Sequence, residues 1–415
     1  MSVKFNQLSN AIRFLSIDAV QKANSGHPGM PMGMADVATV LFKYHLRFNP
    51  LNPNWINRDR FILSAGHGSM LLYSLLYLSG YKSVSLNDIK NFRQLNSICA
   101  GHPEYKKGTG IETTTGPLGQ GLGNAVGMAI AEEILRKKFS SSIINNKTYV
   151  IASDGDLMEG ISHETMSLAG HLKLKNLIVF FDNNKISIDG STSLSVSDNY
   201  KKRFESYGWN FQEIDGHNEK QISKAINKSS KSNKPTLISC KTVIGYGSPN
   251  KSGKASSHGS PLGDDEIALV RKKLKWDYKP FEIPQDILEA WKQIGEKGKL
   301  IEEKWSETVN KKNPKFKNEL EKTFINSELK DFENLIEKEK TKYFETKPNL
   351  ATRQCSMAVI ETVSGLLPQL IGGSADLSGS NNTKTSNSKI INSKNFDGNY
   401  IHYGVREHGM AAIMN

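Results

Sequence analysis

Residues 148–190, TYVIASDGDLMEGISHETMSLAGHLKLKNLIVFFDNNKISIDG, form the segment that decides the fold. Two apolar runs, 148–152 and 177–181, are rich in β-branched and aromatic residues and predict strands. Between them, residues 159–172 place apolar side chains at helical spacing. Because strand, helix and strand follow one another within this length, the segment predicts a βαβ unit with two parallel strands. The predicted fold class is therefore α/β.

Polar side chains follow both predicted strands. Asp154 and Gly155 come after the first, and Asp182, Asn183 and Asn184 come after the second. The carboxyl ends of parallel strands meet at one edge of a sheet, and carboxylate and amide oxygens suit magnesium or calcium. A glycine there lets backbone N–H groups approach a phosphate. The pattern predicts a metal–diphosphate site, with an ordinary strand-end turn as the alternative, since Asp-Gly and Asn-Asn are common in turns.

The composition of the 415-residue chain, 37% hydrophobic and 23% charged, indicates a soluble globular protein of two or three domains. No apolar run approaches the ~20 residues of a membrane-spanning helix, so no membrane partner is expected. The first 20 residues resemble an amphipathic helix more than a signal peptide. Three widely separated cysteines fit a reducing compartment, which makes the cytoplasm the expected location.

The net charge of +12 raises the question of nucleic-acid binding. The excess is spread along the chain and is mostly lysine, without aromatic residues interleaved with arginine. A solvated basic surface that attracts phosphorylated small molecules is therefore favoured, and no nucleic-acid partner is expected.

Composition divides the chain into three parts. Residues 1–263 predict the main α/β domain, residues 264–348 a Lys- and Glu-rich helical linker, and residues 349–415 an incomplete second α/β domain. Within the last part, residues 374–395 predict a mobile loop rich in Ser, Asn and Lys.

Two glycine-rich segments predict loops. Residues 26–33 are expected to form a loop before a short helix at 35–42. The segment 113–127, TTTGPLGQGLGNAVG, predicts a turn leading into a helix at 125–139. It lacks the dinucleotide-binding spacing, so it either lines a cofactor or allows close helix packing.

Four histidines lie in glycine-flanked loops, at His27, His67, His102 and His258. A single loop histidine is usually only exposed, but four such loops near strand ends in one domain indicate a shared site. Imidazole can donate to phosphate or hydroxyl oxygens and can exchange protons near neutral pH. None of the four has the paired spacing of a zinc site.

Several motifs, in the same order, resemble those of transketolases: RFLSIDAVQKANSGHPGMPMG at 13–33, GHPE at 101–104, TTGPLGQGLGNAVGMA at 114–129, SHGSPLG at 257–263 and YGVREHGM at 403–410. The central segment is similar to the thiamine diphosphate motif, with Ser153 in place of its first glycine. The resemblance covers nearly the whole chain. It implies a parallel-sheet thiamine-diphosphate-binding fold, a helical linker and the beginning of a second α/β domain.

The resemblance also implies cofactor contacts. Asp154, Asn184 and the main-chain carbonyl of Ile186 would coordinate Mg²⁺ or Ca²⁺ bridging the diphosphate. The other implied cofactor contacts, to the diphosphate or to the thiamine itself, are His67, Gly116, Leu118, Gly155 and Glu407.

For the substrate, the resemblance implies that Arg353, Ser380 and His258 hold the sugar phosphate. His27 and His102 would contact substrate hydroxyls and handle protons near the reacting carbon, and His258 is grouped with them as a catalytic residue.

Glu407 would be the catalytic carboxyl, hydrogen-bonded to the aminopyrimidine of thiamine held by a partner subunit, which implies a homodimer. Without its context, Glu407 would be expected to form a salt bridge with Arg406 or to act as a helix N-terminal charge, and it is the YGVREHGM motif that favours the catalytic role.

The implied activity is transfer of a two-carbon ketol unit from a ketose phosphate such as xylulose 5-phosphate to an aldose phosphate such as ribose 5-phosphate. It would proceed through a thiamine-bound carbanion, in the pentose phosphate pathway. The chain stops where the pyrimidine domain is expected to continue, so the second hypothesis is a truncated or split, non-catalytic half-site chain that needs a second polypeptide.

Overall fold

The computed structural model describes residues 3–324, 330–367 and 369–415. Its strands, in chain order, are β1 Arg60–Leu63, β2 Thr148–Ala152, β3 Leu177–Asn183, β4 Ile186–Ser187, β5 Gly190–Ser191, β6 Asn210–Asp215, β7 Thr236–Lys241, β8 Gly372–Ser374 and β9 Tyr400–His402. Its α-helices are α1 Phe5–Ala23, α2 Gly29–Val40, α3 Ser69–Ser79, α4 Leu86–Lys90, α5 Gln120–Phe139, α6 Asp154–Met158, α7 Gly160–His171, α8 Tyr200–Ser206, α9 Glu219–Ser229, α10 Asp264–Leu274, α11 Gln285–Asn310, α12 Pro314–Phe324, α13 Lys330–Thr346, α14 Thr352–Ser364, α15 Ser378–Asn381 and α16 Glu407–Met414.

The central sheet has five strands in the order β1-β2-β3-β7-β6, and every neighbouring pair is parallel. The predicted βαβ unit is confirmed, because β2 and β3 pair directly and α7 connects them. All residues of β2 and β3 are buried, as expected for a parallel sheet with helices on both faces.

Alternate residues of β2 enter two different apolar cores. Tyr149 and Ile151 belong to the core that contains residues of α1 and α3. Val150 and Ala152 belong to the core formed with α5 and α7. The sheet is thus the middle layer of three, and the α/β fold class is confirmed.

The predicted loop over residues 26–33 is wrong in its second half. Helix α2 begins at Gly29 and includes Pro31 and Gly33. Pro31 lies in the first turn, where a backbone N–H has no intrahelical partner, so a proline is tolerated. A Cβ on Gly33 would lie 3.0 Å from the Val243 carbonyl oxygen, so this glycine permits close packing.

The predicted turn over residues 113–127 is also too long. Helix α5 begins at Gln120, five residues earlier than expected. A Cβ on Gly121 would lie 2.6 Å from Ser64 Cα, and a Cβ on Gly127 would collide with the Ile413 carbonyl oxygen. The helical glycines therefore serve close packing, which was one of the two alternatives for this segment.

The described part of the linker region consists mainly of the helices α10 to α13, with short non-helical connections such as residues 275–284, and residues 325–329 of the predicted linker lie outside the described residues. Helix α11 is anchored to the main domain. The buried Trp291 donates its indole N–H to the Leu8 carbonyl at 3.2 Å, and Trp305 donates to the Ile143 carbonyl at 2.7 Å. Its charged residues therefore cover only one side of the helix.

Beyond the linker, β8 and β9 pair in parallel. In chain order, α14 precedes β8, α15 lies between the two strands, and α16 follows β9. The predicted loop at 374–395 includes the short helix α15. Across the described ranges, every helix is too short or too polar to cross a lipid bilayer.

Candidate functional site

The candidate site lies at the carboxyl edge of the central sheet. A single 3₁₀ turn, Gly66–Gly68, follows β1 and carries His67. Helix α6 follows β2 and begins with Asp154, while Asn184 and the β4–β5 hairpin follow β3. Because the strands are parallel, all these loops emerge at the same edge.

Three of the four predicted histidines are in mutual contact. The ring centroids of His27 and His67 are 5.1 Å apart, those of His27 and His258 are 5.6 Å apart, and those of His67 and His258 are 5.2 Å apart. His102 lies near them, since its charge, when protonated, is among the causes that lower the pKa of both His27 and His67. We call these four residues the histidine cluster.

The histidine cluster is built from neutral imidazoles. Burial, followed by the charge of His258, lowers the pKa of His27 to about 4 and that of His67 to about 3. Desolvation also lowers the pKa of His102 and of His258. The Nδ1 atoms of His27 and His258 are buried and have no hydrogen-bond partner among the described residues. These nitrogens are available to a ligand, and near neutral pH each ring keeps one donor and one acceptor.

The carboxylate of Asp154 is the group of the site that best fits a cation. Asp154 is 4% exposed, and neither of its oxygens accepts a hydrogen bond from the residues that the structure describes. Burial, followed by the charge of Asp182, raises its pKa to about 7. A buried charge without a partner is unfavourable, so a divalent cation fits this position.

The other two predicted cation ligands lie on the loop after β3. Asn184 donates its amide Nδ2 to Asp182 Oδ2 at 2.9 Å, and its Oδ1 accepts from the Ile186 N–H at 2.9 Å. Asp182 also accepts a hydrogen bond from Thr242, which fixes its orientation. Asp182 therefore orients the Asn184 amide, and the amide oxygen retains a second lone pair for a cation.

The predicted glycines are positions of close approach. A Cβ on Gly155 would lie 2.7 Å from Leu118 Cδ1, which brings the loop after β2 against the segment before α5. Gly116 adopts φ +151°, a conformation that favours glycine, beside the His102 ring. The cofactor-binding residues predicted on these two segments are thus adjacent.

Asp156 is a residue of the site that the sequence interpretation missed. It is fully buried and accepts hydrogen bonds from Ser64 Oγ at 2.6 Å, the Gly119 N–H at 2.9 Å and the Ser153 N–H at 2.8 Å. It joins three loops of the site. The S-x-x-D pattern of a capping box was the available signal, and Ser153 accepts the reciprocal bond from Asp156 N–H, a role that glycine could not fill.

The predicted residues of the last segment lie outside the histidine cluster. Glu407 is the exposed first residue of α16, and Arg353 and Ser380 are exposed on α14 and α15. Helix α16 packs on α5 and α7, where the Gly409 N–H donates to Glu164 Oε2 at 2.7 Å. No hydrogen bond or ion pair among the described residues joins Glu407, Arg353 or Ser380 to the cluster. The salt bridge between Glu407 and Arg406, which was the alternative expected for Glu407, does not form among the described residues either.

Comparison with known families assigns this arrangement to a class. Residues 5–329 match the family described as "Transketolase, thiamine diphosphate binding domain", and residues 348–415 match "Transketolase, pyrimidine binding domain". The parallel sheet with its carboxyl-edge site is thus that of a thiamine-diphosphate-binding α/β protein. Within this class, the chain belongs to the transketolase family.

Individual relatives agree with the family match. The chain is 50% identical over 408 residues to a transketolase of Sinorhizobium medicae and 53% identical over 418 residues to one of Buchnera aphidicola, covering 98% and 99% of this chain. It spans 58% and 62% of those two relatives, respectively. A crystal structure of Campylobacter jejuni transketolase is similar with a TM-score of 0.90 at 43% identity, covering 100% of this chain and 63% of that protein.

Proposed function

We propose that this chain takes part in transketolase chemistry, the transfer of a two-carbon ketol unit from a ketose phosphate to an aldose phosphate, in the pentose phosphate pathway. The observation that carries the proposal is the convergence of four loop histidines with a buried, partnerless carboxylate at one sheet edge. A solved relative from Pichia stipitis, 39% identical with a TM-score of 0.89 and covering 99% of this chain and 62% of that protein, is described as a complex with sedoheptulose 7-phosphate. This supports sugar phosphates as the substrates.

The cofactor of the proposed reaction is thiamine diphosphate with Mg²⁺ or Ca²⁺. Asp154, Asn184 and the main-chain carbonyl of Ile186 would hold the cation, and the donor set of carboxylate, amide and carbonyl oxygens suits a hard ion. Gly155 and His67 would contact the diphosphate. When bound, thiamine diphosphate supplies a centre that stabilises a carbanion.

In the proposed reaction three members of the histidine cluster, His27, His102 and His258, hold and move protons of the substrate. His27 and His258 each have a free Nδ1, and their lowered pKa values keep them neutral near pH 7. A neutral imidazole can donate one hydrogen bond to a sugar hydroxyl and accept another. His102, the most exposed of the four, would meet the substrate near the entrance. Gly116 and Leu118 would line the thiamine pocket.

The last segment would contribute through a second copy of the chain. Glu407 is exposed, while other residues of α16 pack on α5 and α7 of its own chain. This supports a homodimer in which Glu407 reaches the thiamine of the partner subunit. Arg353 and Ser380, also exposed, would bind the substrate phosphate with His258. Three free cysteines support a reducing, cytoplasmic location. The domain boundaries after residues 263 and 348 stay a prediction.

An assay of the purified 415-residue chain tests this function. Xylulose 5-phosphate and ribose 5-phosphate are supplied with thiamine diphosphate and MgCl₂, and formation of sedoheptulose 7-phosphate is followed. We expect turnover that requires both the cation and the cofactor, and that is lost in Asp154→Asn. Cofactor and cation bound normally without turnover would contradict the proposal for this chain.

A further inference from the structure

Arg93 is a charged residue beside the histidine cluster to which the proposed function gives no role. Its backbone is left-handed, with φ +62°, and its N–H donates to the Cys99 carbonyl at 2.9 Å. A non-glycine residue in this conformation costs about 1–2 kcal/mol, so the surrounding contacts must hold it there. The loop that these contacts close, residues 93–99, lies between α4 and the His102 loop.

The side chain of Arg93 connects two of the histidine loops. Its Nη1 donates to Ser25 Oγ at 2.8 Å, two residues before His27. Its guanidinium also lies against Gly101, one residue before His102, because a Cβ on Gly101 would lie 3.2 Å from Arg93 Nε. The neighbouring Phe92 adds a second contact to the first loop, since a Cβ on Gly26 would lie 2.9 Å from its ring.

The charge of Arg93 acts on the same two histidines. Among the causes that lower the pKa of His102, desolvation comes first and the charge of Arg93 second. For His27, burial comes first, followed by the charges of His258, Arg93 and His102. The Arg93 Nε is buried and has no partner among the described residues, and no carboxylate forms an ion pair with Arg93 there. Among the described residues no carboxylate therefore offsets the positive charge that Arg93 places near the two imidazoles.

We propose that Arg93 is a positioning residue, which fixes the spacing of the His27 and His102 loops and adds to burial in keeping both imidazoles neutral and ready to bind a polyhydroxylated substrate. The role in binding rests on the proposed function, whereas the effect of Arg93 on the two histidines does not. One side chain performs both tasks because its fork-shaped guanidinium reaches two loops at once and never loses its charge.

Two variants separate the charge from the hydrogen-bond geometry. Arg93→Met keeps an unbranched stem and removes the charge. Arg93→Lys keeps the charge but loses the planar fork. Lys90→Met is the matched control, since it removes one positive charge three residues earlier from an exposed side chain of α4. Thermal unfolding of each variant verifies that the chain is folded.

The first measurement is the titration of the histidine side chains by NMR in the full chain, with His27→Gln and His102→Gln used to assign the signals. We expect Arg93→Met to shift both titration midpoints upward, with His102 affected more, because the charge of Arg93 is the second cause of its lowered pKa but only the third for His27. Arg93→Lys and Lys90→Met should leave the His102 midpoint near that of the unsubstituted chain. An unchanged His102 midpoint in folded Arg93→Met would overturn the proposal.

The second measurement is the pH profile of kcat/KM in the transfer assay. Because protonation now occurs at higher pH, the acidic limb of the profile should move to higher pH in Arg93→Met and stay in place in Arg93→Lys. Arg93→Lys should raise KM for the sugar phosphate, since the two loops lose their common anchor. Absence of turnover in every protein would reject the proposed function, while the NMR titration would still decide the role of Arg93. Normal turnover with an unmoved acidic limb in Arg93→Met would reject that role and leave the function standing.

Discussion

Replacing Asp154 by asparagine should make the cofactor-free chain more stable while removing its cation site. The carboxylate is buried without a hydrogen-bond partner, and its pKa is raised from an ordinary 3.8 to about 7. A raised pKa in the folded state means that folding disfavours the ionised form. The penalty is absent below pH 3.8 and is complete above about pH 7.

The size of this penalty follows from the pKa. Each pKa unit corresponds to about 1.4 kcal/mol, so the raised pKa of Asp154 lowers the unfolding free energy by roughly 4 kcal/mol at pH 8. The neutral asparagine avoids this penalty, but its amide group lacks partners at the site and costs about 1–3 kcal/mol. We therefore expect Asp154→Asn to increase the unfolding free energy by about 1–3 kcal/mol at pH 8, and the gain to vanish or reverse at pH 4–5.

Urea unfolding in EDTA at pH 8 and at pH 4.5 measures both values. Asp156→Asn is the control, because Asp156 is buried two residues away but accepts hydrogen bonds from Ser64, Gly119 and Ser153. That variant loses acceptors and should be destabilised at both pH values. If Asp154→Asn is as destabilised as Asp156→Asn at pH 8, the carboxylate of Asp154 has partners, and the argument for a cation at this position is wrong.

Three further outcomes follow from the site and its packing. Isothermal titration should show that Asp154→Ala abolishes binding of thiamine diphosphate with Mg²⁺. Glu407→Ala should bind the cofactor nearly normally but show no turnover. Normal affinity in the Asp154 variant would contradict the assignment of Asp154 as a cation ligand. Co-expression of these two inactive chains should restore about one quarter of the original rate, because half of randomly formed dimers are mixed and each mixed dimer has one intact site of two. No recovery in verified mixed dimers would argue against an active site that is formed by residues of both subunits. Gly127→Ala should destabilise the chain by about 1–3 kcal/mol in thermal or urea unfolding, because its Cβ would collide with the Ile413 carbonyl. Gly160→Ala is the control, because the space around its Cβ is open, and it should not destabilise the chain in this way. Equal effects of the two substitutions would refute the close packing of α5 against α16.

Much of the candidate site was predictable because its residues occupy positions with a local signal. Asp154 and Asn184 directly follow apolar strands, and the parallel pairing of those strands places both at one sheet edge. The loop histidines were recognisable by their glycine neighbours. Asp156 was less visible, because its partners Ser64 and Gly119 are 92 and 37 residues away in the chain.

The sequence by itself determined the α/β class, the βαβ unit and the residue types of the site, since strand and helix periodicity and strand-end chemistry are local properties. Only the tertiary structure decided that the glycines of α5 serve helix packing, that Asp154 lacks partners while Asp156 has several, and that Arg93 joins two histidine loops. These facts depend on which distant segments meet. Burial and hydrogen bonding there fix the charge and orientation of each group, and neither can be read from its neighbours in the chain.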